Sequence, residues 1–250
     1  MDFYVIPRMR EIEKLNTDDT AAISHLQFFP CIKQLVLFEK LGRVSIDVFE
    51  NFPKQTFRNR TVVLSSQGLL NIIVPTKKVT NAKIIMRDVE ISYSQRWNTE
   101  AWRTIFSCYG KSPFFIYYAD KVKEILFKQH RYLIDLNLEI FGFLKKTLRL
   151  TCDLTVTSRY SDKTTDNYRD MFLPKTRSED GMDLIPYYQC FSPATVMQNN
   201  VDTDSDNGFY TNLSALDLLF NLGNESPDYI RNAIRQLHMP KDMKTSVNNY

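Results

Sequence analysis

The densest run of chemically capable side chains is Glu50-Asn51-Phe52-Pro53-Lys54-Gln55-Thr56-Phe57-Arg58-Asn59-Arg60. Three cations (Lys54, Arg58, Arg60) and three amides (Asn51, Gln55, Asn59) fall within eleven residues. Such a set can converge on a carboxylate or phosphate, because a guanidinium offers a planar fork of donors that matches paired oxygens. Arg58 and Arg60 would share a side if a strand has already begun there, forming an anion clamp. The competing reading is a charged loop whose arginines pair with Glu50 and with carbonyl groups. Both readings stand at the level of the residues.

Other candidates are more dispersed. Trp97, Trp102, Tyr109, Phe114, Phe115, Tyr117 and Tyr118 form an aromatic cluster that suits either a core or a pocket wall for a sugar or base. Tyr109 and Tyr118 are the better pocket candidates, since their hydroxyls need partners. Tyr188 and Gln189 add polar groups in a short segment expected to be a strand, Tyr187 to Phe191. Its Cys190 has no neighbouring His or cationic helix start to activate it and reads as structural. Asp217 lies among apolar residues, so it either faces outward or pairs with an arginine, and a buried structural tie to an arginine is expected. His25 stands near a strand-to-helix junction and is the one candidate for acid–base work.

The elements that must carry these residues follow from periodicity. Pro30 opens a helix to about Leu41, with Gly42 as its stop. Val44, Ile46 and Val48 alternate with polar neighbours and read as a strand. Thr61–Leu64 and Leu69–Val74 flank Ser66-Gln67-Gly68, a hairpin signal. Ile84–Ile91 is expected to be extended. Helices follow from Thr99 to Gly110, from Ser112-Pro113 onward, and through Lys121–Leu150 with a bend near Tyr132–Asp135. Asp153–Arg159 returns to strand, and Ser161–Asp183 reads as a long loop. Two helices close the chain, about Ser214–Leu222 and Pro227–Leu237, the second opened by Ser226-Pro227-Asp228. The order predicts a mixed α/β fold: a single domain over residues 20–239 with a central mixed sheet and a helix-rich second half. Residues 1–19 read as an arm and 240–250 as a flexible tail. Whether the first strand-helix-strand unit is a parallel crossover is left open by the pattern.

Composition narrows the function classes. A hydrophobic fraction of 43% is ample for a large core. Seven glycines and no GxGxxG or GxxxxGK[ST] argue against a Gly-rich phosphate loop. A net charge of +3, from 32 cations and 29 anions, argues against nucleic acid as a partner. Cys31, Cys108, Cys152 and Cys190 form no CxxC pair, and His25, His130 and His238 are equally scattered, so no metal site is expected. No apolar run approaches 18 residues, and the N-terminus lacks a signal-peptide core, which together place the chain in the cytoplasm without membrane insertion. The residues name no cofactor and no oligomeric state.

Taken together, the segments resemble the WbqC-like protein family. The matching stretches are Pro30, Glu50-Asn51, Lys54 to Arg60, Val74-Pro75, Trp97, Trp102-Arg103-Thr104-Ile105, Tyr109, Ser112 to Phe115, Tyr118, Tyr188-Gln189 and Asn212 to Asn221, spread over residues 23 to 230. Relatives carry His-Gln-Pro in the first loop where this chain has Ser24-His25-Leu26, and a His where it has Ala101. The family takes its name from a member of an O-antigen gene cluster. The resemblance therefore implies bacterial surface-polysaccharide biosynthesis, as an acyl or aminoacyl transferase acting on a sugar or nucleotide-sugar. A non-catalytic ligand-binding or assembly protein that retains the family fold is the alternative. Either way, the expected partner is an anionic small molecule or nucleotide-sugar. Its expected contacts are Glu50, Asn51, Lys54, Gln55, Arg58, Asn59, Arg60, Trp102, Tyr109, Tyr118, Tyr188 and Gln189.

Overall fold

A computed structural model describes residues 22–53, 55–77, 83–160, 166–172, 182, 184–191 and 209–236. The proposed arm at 1–19, the tail at 240–250 and Lys54 lie outside the described residues. Strand β1 (Ala22–Ser24) leads through helix α1 (Ile32–Leu41) to strand β2 (Arg43–Ile46), and the two strands pair in parallel. The open question is thereby answered, because the first unit is a parallel crossover with α1 as its connection. Gly42 ends α1 at φ 72°, where a side chain would be strained, and its N–H caps the Phe38 carbonyl at 3.0 Å. The last strand among the described residues, β5 (Asp153–Val156), joins β2 in parallel on its other side, giving the order β1-β2-β5. Glu39 of α1 fixes the entry to β5 by accepting from Thr151 N at 2.8 Å and Cys152 N at 3.0 Å.

The antiparallel pairing is kept apart from this sheet. Strands β3 (Arg60–Ser65) and β4 (Gly68–Ile73) form their own hairpin, turning at Ser66-Gln67 as expected. Helices α2 (Trp97–Tyr109), α3 (Phe115–Phe127) and α4 (Leu133–Thr147) follow, and α5 (Ala215–Leu222) and α6 (Ser226–Gln236) complete the described chain. The mixed α/β class and the helix-rich second half are borne out, with parallel and antiparallel pairings divided between two sheets. One continuous core runs from α1 through α2–α6, with Ile32, Leu35, Phe38, Ile105, Ile125, Ile140, Leu219 and Phe220 wholly buried. Burying each such side chain contributes about 1.5–3 kcal/mol.

Three local expectations need correction. The Ile84–Ile91 segment is not a strand, since it holds a 3₁₀ turn at Met86–Asp88 and its β-pairing is limited to isolated bridges. The break between the long helices lies at Lys128–Tyr132, ahead of the expected position, because Gln129 takes φ 57° and ends α3. Tyr187–Phe191 has no regular structure. Its polar groups bond to α5 and to Tyr210 instead of to a neighbouring strand.

Candidate functional site at the carboxyl edge of the parallel sheet

Parallel pairing puts the carboxyl ends of three strands on one edge, which is where open α/β sheets bind ligands. Ser24, Ile46 and Val156 are in register, so the residues that leave the sheet together are His25, Asp47 and Thr157. The segment at 166–168 extends the sheet on the outer side of β1. Asn167 forms a parallel bridge with Ile23, through Ile23 N to Asp166 O at 2.9 Å and Tyr168 N to Ile23 O at 2.7 Å. Continuing that register brings Arg169 level with His25. Its guanidinium reaches across to Asp47, in a pair whose members are 6% and 0% exposed. The second Asp47 oxygen accepts from Phe49 N at 2.9 Å and from the Thr157 hydroxyl at 3.2 Å.

His25 sits within this edge at 1% exposure. Burial, followed by the nearby Arg58 charge, lowers its pKa well below the ordinary histidine value, with a weaker opposing contribution from the Arg169 main chain. The imidazole is therefore neutral at physiological pH. Its tautomer follows from Gln27. That side-chain oxygen accepts from Cys31 N at 2.9 Å, which turns the amide nitrogen toward His25 Nε2 at 3.5 Å. Nε2 is then the acceptor and Nδ1 carries the proton. Nδ1 is buried and has no hydrogen-bond partner. The loop that carries it is strained and pinned. Phe29, just before Pro30, takes φ 40°, and its carbonyl accepts from the Thr61 hydroxyl at 2.8 Å and the Ser214 hydroxyl at 3.3 Å. Gln34 adds two further ties, to Gln27 N at 3.2 Å and His25 O at 2.9 Å.

The polar segment at 50–60 backs this edge instead of clamping an external anion with both arginines. Arg58 lies in a 3₁₀ turn (Phe57–Asn59), whereas Arg60 begins β3, so the two do not alternate along one strand. Arg58 is 1% exposed and grips Glu50 bidentately, with both bonds at 2.7 Å, while Nη1 donates to Thr56 Oγ1 at 2.8 Å. Burial raises the Glu50 pKa, opposed by the Arg58 guanidinium, and the charges of Asp47 and Arg169 are also felt there. Asn137 of α4 donates to Arg58 O at 2.8 Å and Leu26 O at 3.2 Å, locking the turn to the His25 loop. Asn59 bonds the Val74 carbonyl at 3.0 Å. Arg60 is half-buried, and its Nε has no partner. Asn51 and Gln55 are exposed.

The remaining nominated residues belong elsewhere. Tyr109 is a core residue at 1% exposure, and its hydroxyl accepts from Leu64 N at 3.2 Å. Trp102 is half-buried against Phe115, with Lys123 Nζ 5.5 Å from its ring centroid. Tyr118 reaches Asn224 at 3.4 Å, and Tyr188 is exposed. Gln189 is buried and exchanges hydrogen bonds with the Tyr210 main chain at 2.9 and 3.1 Å. It also helps to enclose Asp217, which is buried but not paired with an arginine as expected. Asp217 Oδ2 accepts from the Tyr187 hydroxyl at 2.5 Å and from Gln189 at 3.4 Å. Burial pushes its pKa up to about 6. Cys190 is half-buried, 3.0 Å from Ser112 Oγ and 3.1 Å from Asn221 Oδ1.

Asp47, Thr157 and Arg169 are the members of the edge that sequence reasoning missed. Asp47 immediately follows an alternating strand, and that position was the available signal. Among the described residues, no group of His, Cys, Asp and Glu side chains gathers to hold a metal ion, and no helix is long and apolar enough to cross a membrane.

Comparison with known proteins agrees with the motifs. An uncharacterized protein of Mycobacterium tuberculosis (strain ATCC 25618 / H37Rv), Rv1507c, is 27% identical over 194 residues, covering 72% of this chain and 84% of that protein. No solved structure matches. The model of the WbqC-like protein family matches residues 27–185, which takes in the 50–60 segment, the helices α1–α4 and Arg169, while the Asn212–Asn221 string falls outside it. The chain belongs to the WbqC-like protein family.

Proposed function

We propose that the chain is a transferase of the acyl or aminoacyl class acting on a sugar or nucleotide-sugar in bacterial surface-polysaccharide (O-antigen) biosynthesis, with its reaction at the carboxyl edge of the parallel sheet. The observation that carries this reading is His25: a buried, neutral imidazole whose Nδ1–H lacks a partner, at the edge where such sheets take ligands. A buried donor left unpaired costs about 1–3 kcal/mol, so a ligand oxygen that accepts from it recovers that loss. In an acyl transfer the carbonyl oxygen gains negative charge as the sugar amine or hydroxyl attacks. A neutral imidazole donor stabilises that oxygen without a proton having to move.

The test is product formation. Purified protein is incubated with amino-sugar nucleotides and acyl-coenzyme A donors, and the sugar is examined by mass spectrometry for added acyl mass. Product that disappears in His25→Gln is expected. Ligand binding with no acylated product from any donor would overturn the catalytic reading.

That outcome would favour the second reading, a non-catalytic ligand-binding or assembly protein. It draws support from Arg58, the strongest sequence candidate for an anion clamp, which is held by Glu50 and Thr56 inside the fold.

A further inference from the structure

The β3–β4 hairpin is packed on both faces, but only one of its two edges is covered. On one face Val63 and Ile72 join the main core, and on the other Val62, Leu64 and Leu69 pack with Tyr210, Leu213 and Phe191. The register runs from Arg60↔Ile73 to Ser65↔Gly68 without a bulge. A two-residue turn at Ser66-Gln67 makes Ser65↔Gly68 a hydrogen-bonded pair, and the pairs alternate from there. The main-chain groups of Arg60, Val62 and Leu64 therefore point away from β4, and those of Leu69, Asn71 and Ile73 point away from β3. On the β3 side these groups find partners within the fold: Leu64 N donates to the Tyr109 hydroxyl at 3.2 Å, and Val62 O accepts from Ser214 N at 2.8 Å. The β4 side differs. Among the described residues, no hydrogen bond reaches the main chain of Leu69, Asn71 or Ile73 from outside the hairpin. Leu70 is 41% exposed and Ile73 47%, and Asn71 between them is exposed as well. Leu70 stands on one face of the hairpin and Asn71 and Ile73 on the other, so the edge is open from both sides.

An open strand edge on a firmly packed hairpin is a template for another strand. Edges are ordinarily blunted by charges, prolines or bulges, and Gly68–Ile73 has none of these. The order of its residues decides what fits. A second β4 laid antiparallel, with the two-fold axis at Asn71, sets Leu69 opposite Ile73 and Leu70 opposite Ile72 in both directions. Asn71 then faces its own counterpart. Leu69, Asn71 and Ile73 are the residues whose main-chain groups point outward, so they exchange hydrogen bonds pair by pair. Apolar side chains meet apolar ones, the two amides face each other, and no like charges are opposed.

We infer that β4 is a homodimerisation edge: two copies of the chain join antiparallel about Asn71 and merge their hairpins into one continuous four-stranded sheet. The contact is isologous and closes on itself, giving a dimer and no filament. A strand of 6 residues is a small contact, so the dimer dissociates on dilution. The inference is independent of the carboxyl edge and of the transferase reading.

The experiment is sedimentation velocity of the full chain over a wide range of protein concentration, with amide hydrogen exchange measured at both ends of the range. The wild type should pass from monomer to dimer as concentration rises. Protection should rise at the amides of Leu69, Asn71 and Ile73, while those of Leu70 and Ile72, already bonded to β3, change little. Asn71→Lys and Asn71→Asp each set two like charges against each other across the axis, and each should weaken association about tenfold or more. Asn71 is exposed, so both variants should keep the wild-type Tm. An equimolar mixture of the two should associate again, because opposite charges then face each other. A chain that stays monomeric at every concentration would overturn the inference, and so would a dimer that both variants leave unchanged. Weakening in both variants without rescue on mixing would overturn the two-fold register at Asn71. Edge amides protected in a monomer would show that the edge is filled from within the same chain, and that result would sink the inference as well.

Discussion

Replacing Asp217 with asparagine should change how stability depends on pH, and the size of the change can be worked from the structure. Asp217 is 1% exposed on α5, and its carboxylate faces the Tyr187 hydroxyl and the Gln189 amide with no cation among its hydrogen-bond partners. Burial outweighs those bonds and raises its pKa from the ordinary 3.8 to about 6. Between these two values the native state holds a proton that the unfolded chain has released. Stability from this group is therefore fully present below pH 3.8 and lost as pH rises through 6. The whole span amounts to about 3 kcal/mol, of which about 2 kcal/mol falls between pH 4.5 and 7.5. Asparagine keeps an oxygen for Tyr187 and cannot ionise. Urea unfolding is followed by the fluorescence of Trp97 and Trp102 at both pH values. With a slope near the upper end of the usual ~1–3 kcal/mol/M, the midpoint of Asp217→Asn should gain about 0.7 M on the wild type as pH goes from 4.5 to 7.5. Other titrating groups, Glu50 and Asp135 included, are common to both proteins and cancel in the difference. A wild-type-to-variant gap that is the same at both pH values would refute the assignment of a buried, proton-holding carboxyl. Asp217→Ala should be destabilised at both, by about 1–3 kcal/mol, because the Tyr187 hydroxyl and Gln189 amide lose their acceptor.

Further expectations concern the other buried polar groups. His25 has a lowered pKa, so below the ordinary value of 6.5 the unfolded chain binds a proton that the native state does not, and stability from this group is lost as pH falls. His25→Gln should remove that loss, and comparing midpoints at pH 5 and 7.5 checks it. Arg58→Met leaves Glu50 buried without its cation and should cost about 3–5 kcal/mol, whereas the double change with Glu50→Leu should recover much of it in the same urea assay. Gly223→Ala should be strongly destabilising by thermal unfolding. Its φ is +51°, and a Cβ there would lie 2.2 Å from the Phe114 ring. Asn137→Ala should lower stability by about 1–3 kcal/mol and loosen the link between the His25 loop and the Arg58 turn, with hydrogen exchange at Leu26 and Arg58 reporting the loosening.

Local pattern carried the elements that depend on near neighbours. The α1 helix with its Gly42 stop, the β3–β4 hairpin and α5 with its Ser214 cap arise from interactions within a few residues, and their signals are written in consecutive side chains, whereas Ser226, the expected cap of α6, lies inside that helix and donates to the Leu218 carbonyl. The 84–91 segment defeated the same logic, because its apolar residues are buried against a helix and not in a sheet. Resemblance supplied the family, since strings such as Lys54 to Arg60 are specific in order and type.

The sequence by itself thus determined the class of fold, the family and the presence of a polar hub around Glu50–Arg60. It could not determine what the hub does. Whether Arg58 faces solvent or Glu50 depends on a 3₁₀ turn stabilised by Asn137, 79 residues further along the chain. Asp47 and Arg169, 122 residues apart, meet only because β1, β2 and the 166–168 segment lie side by side in parallel. Parallel pairing requires long connections, so residues that share a carboxyl edge are necessarily distant in sequence. Burial then fixes their charge states by removing water. Both effects belong to the tertiary structure, and together they moved the candidate site from the arginine-rich loop to the strand ends beside it.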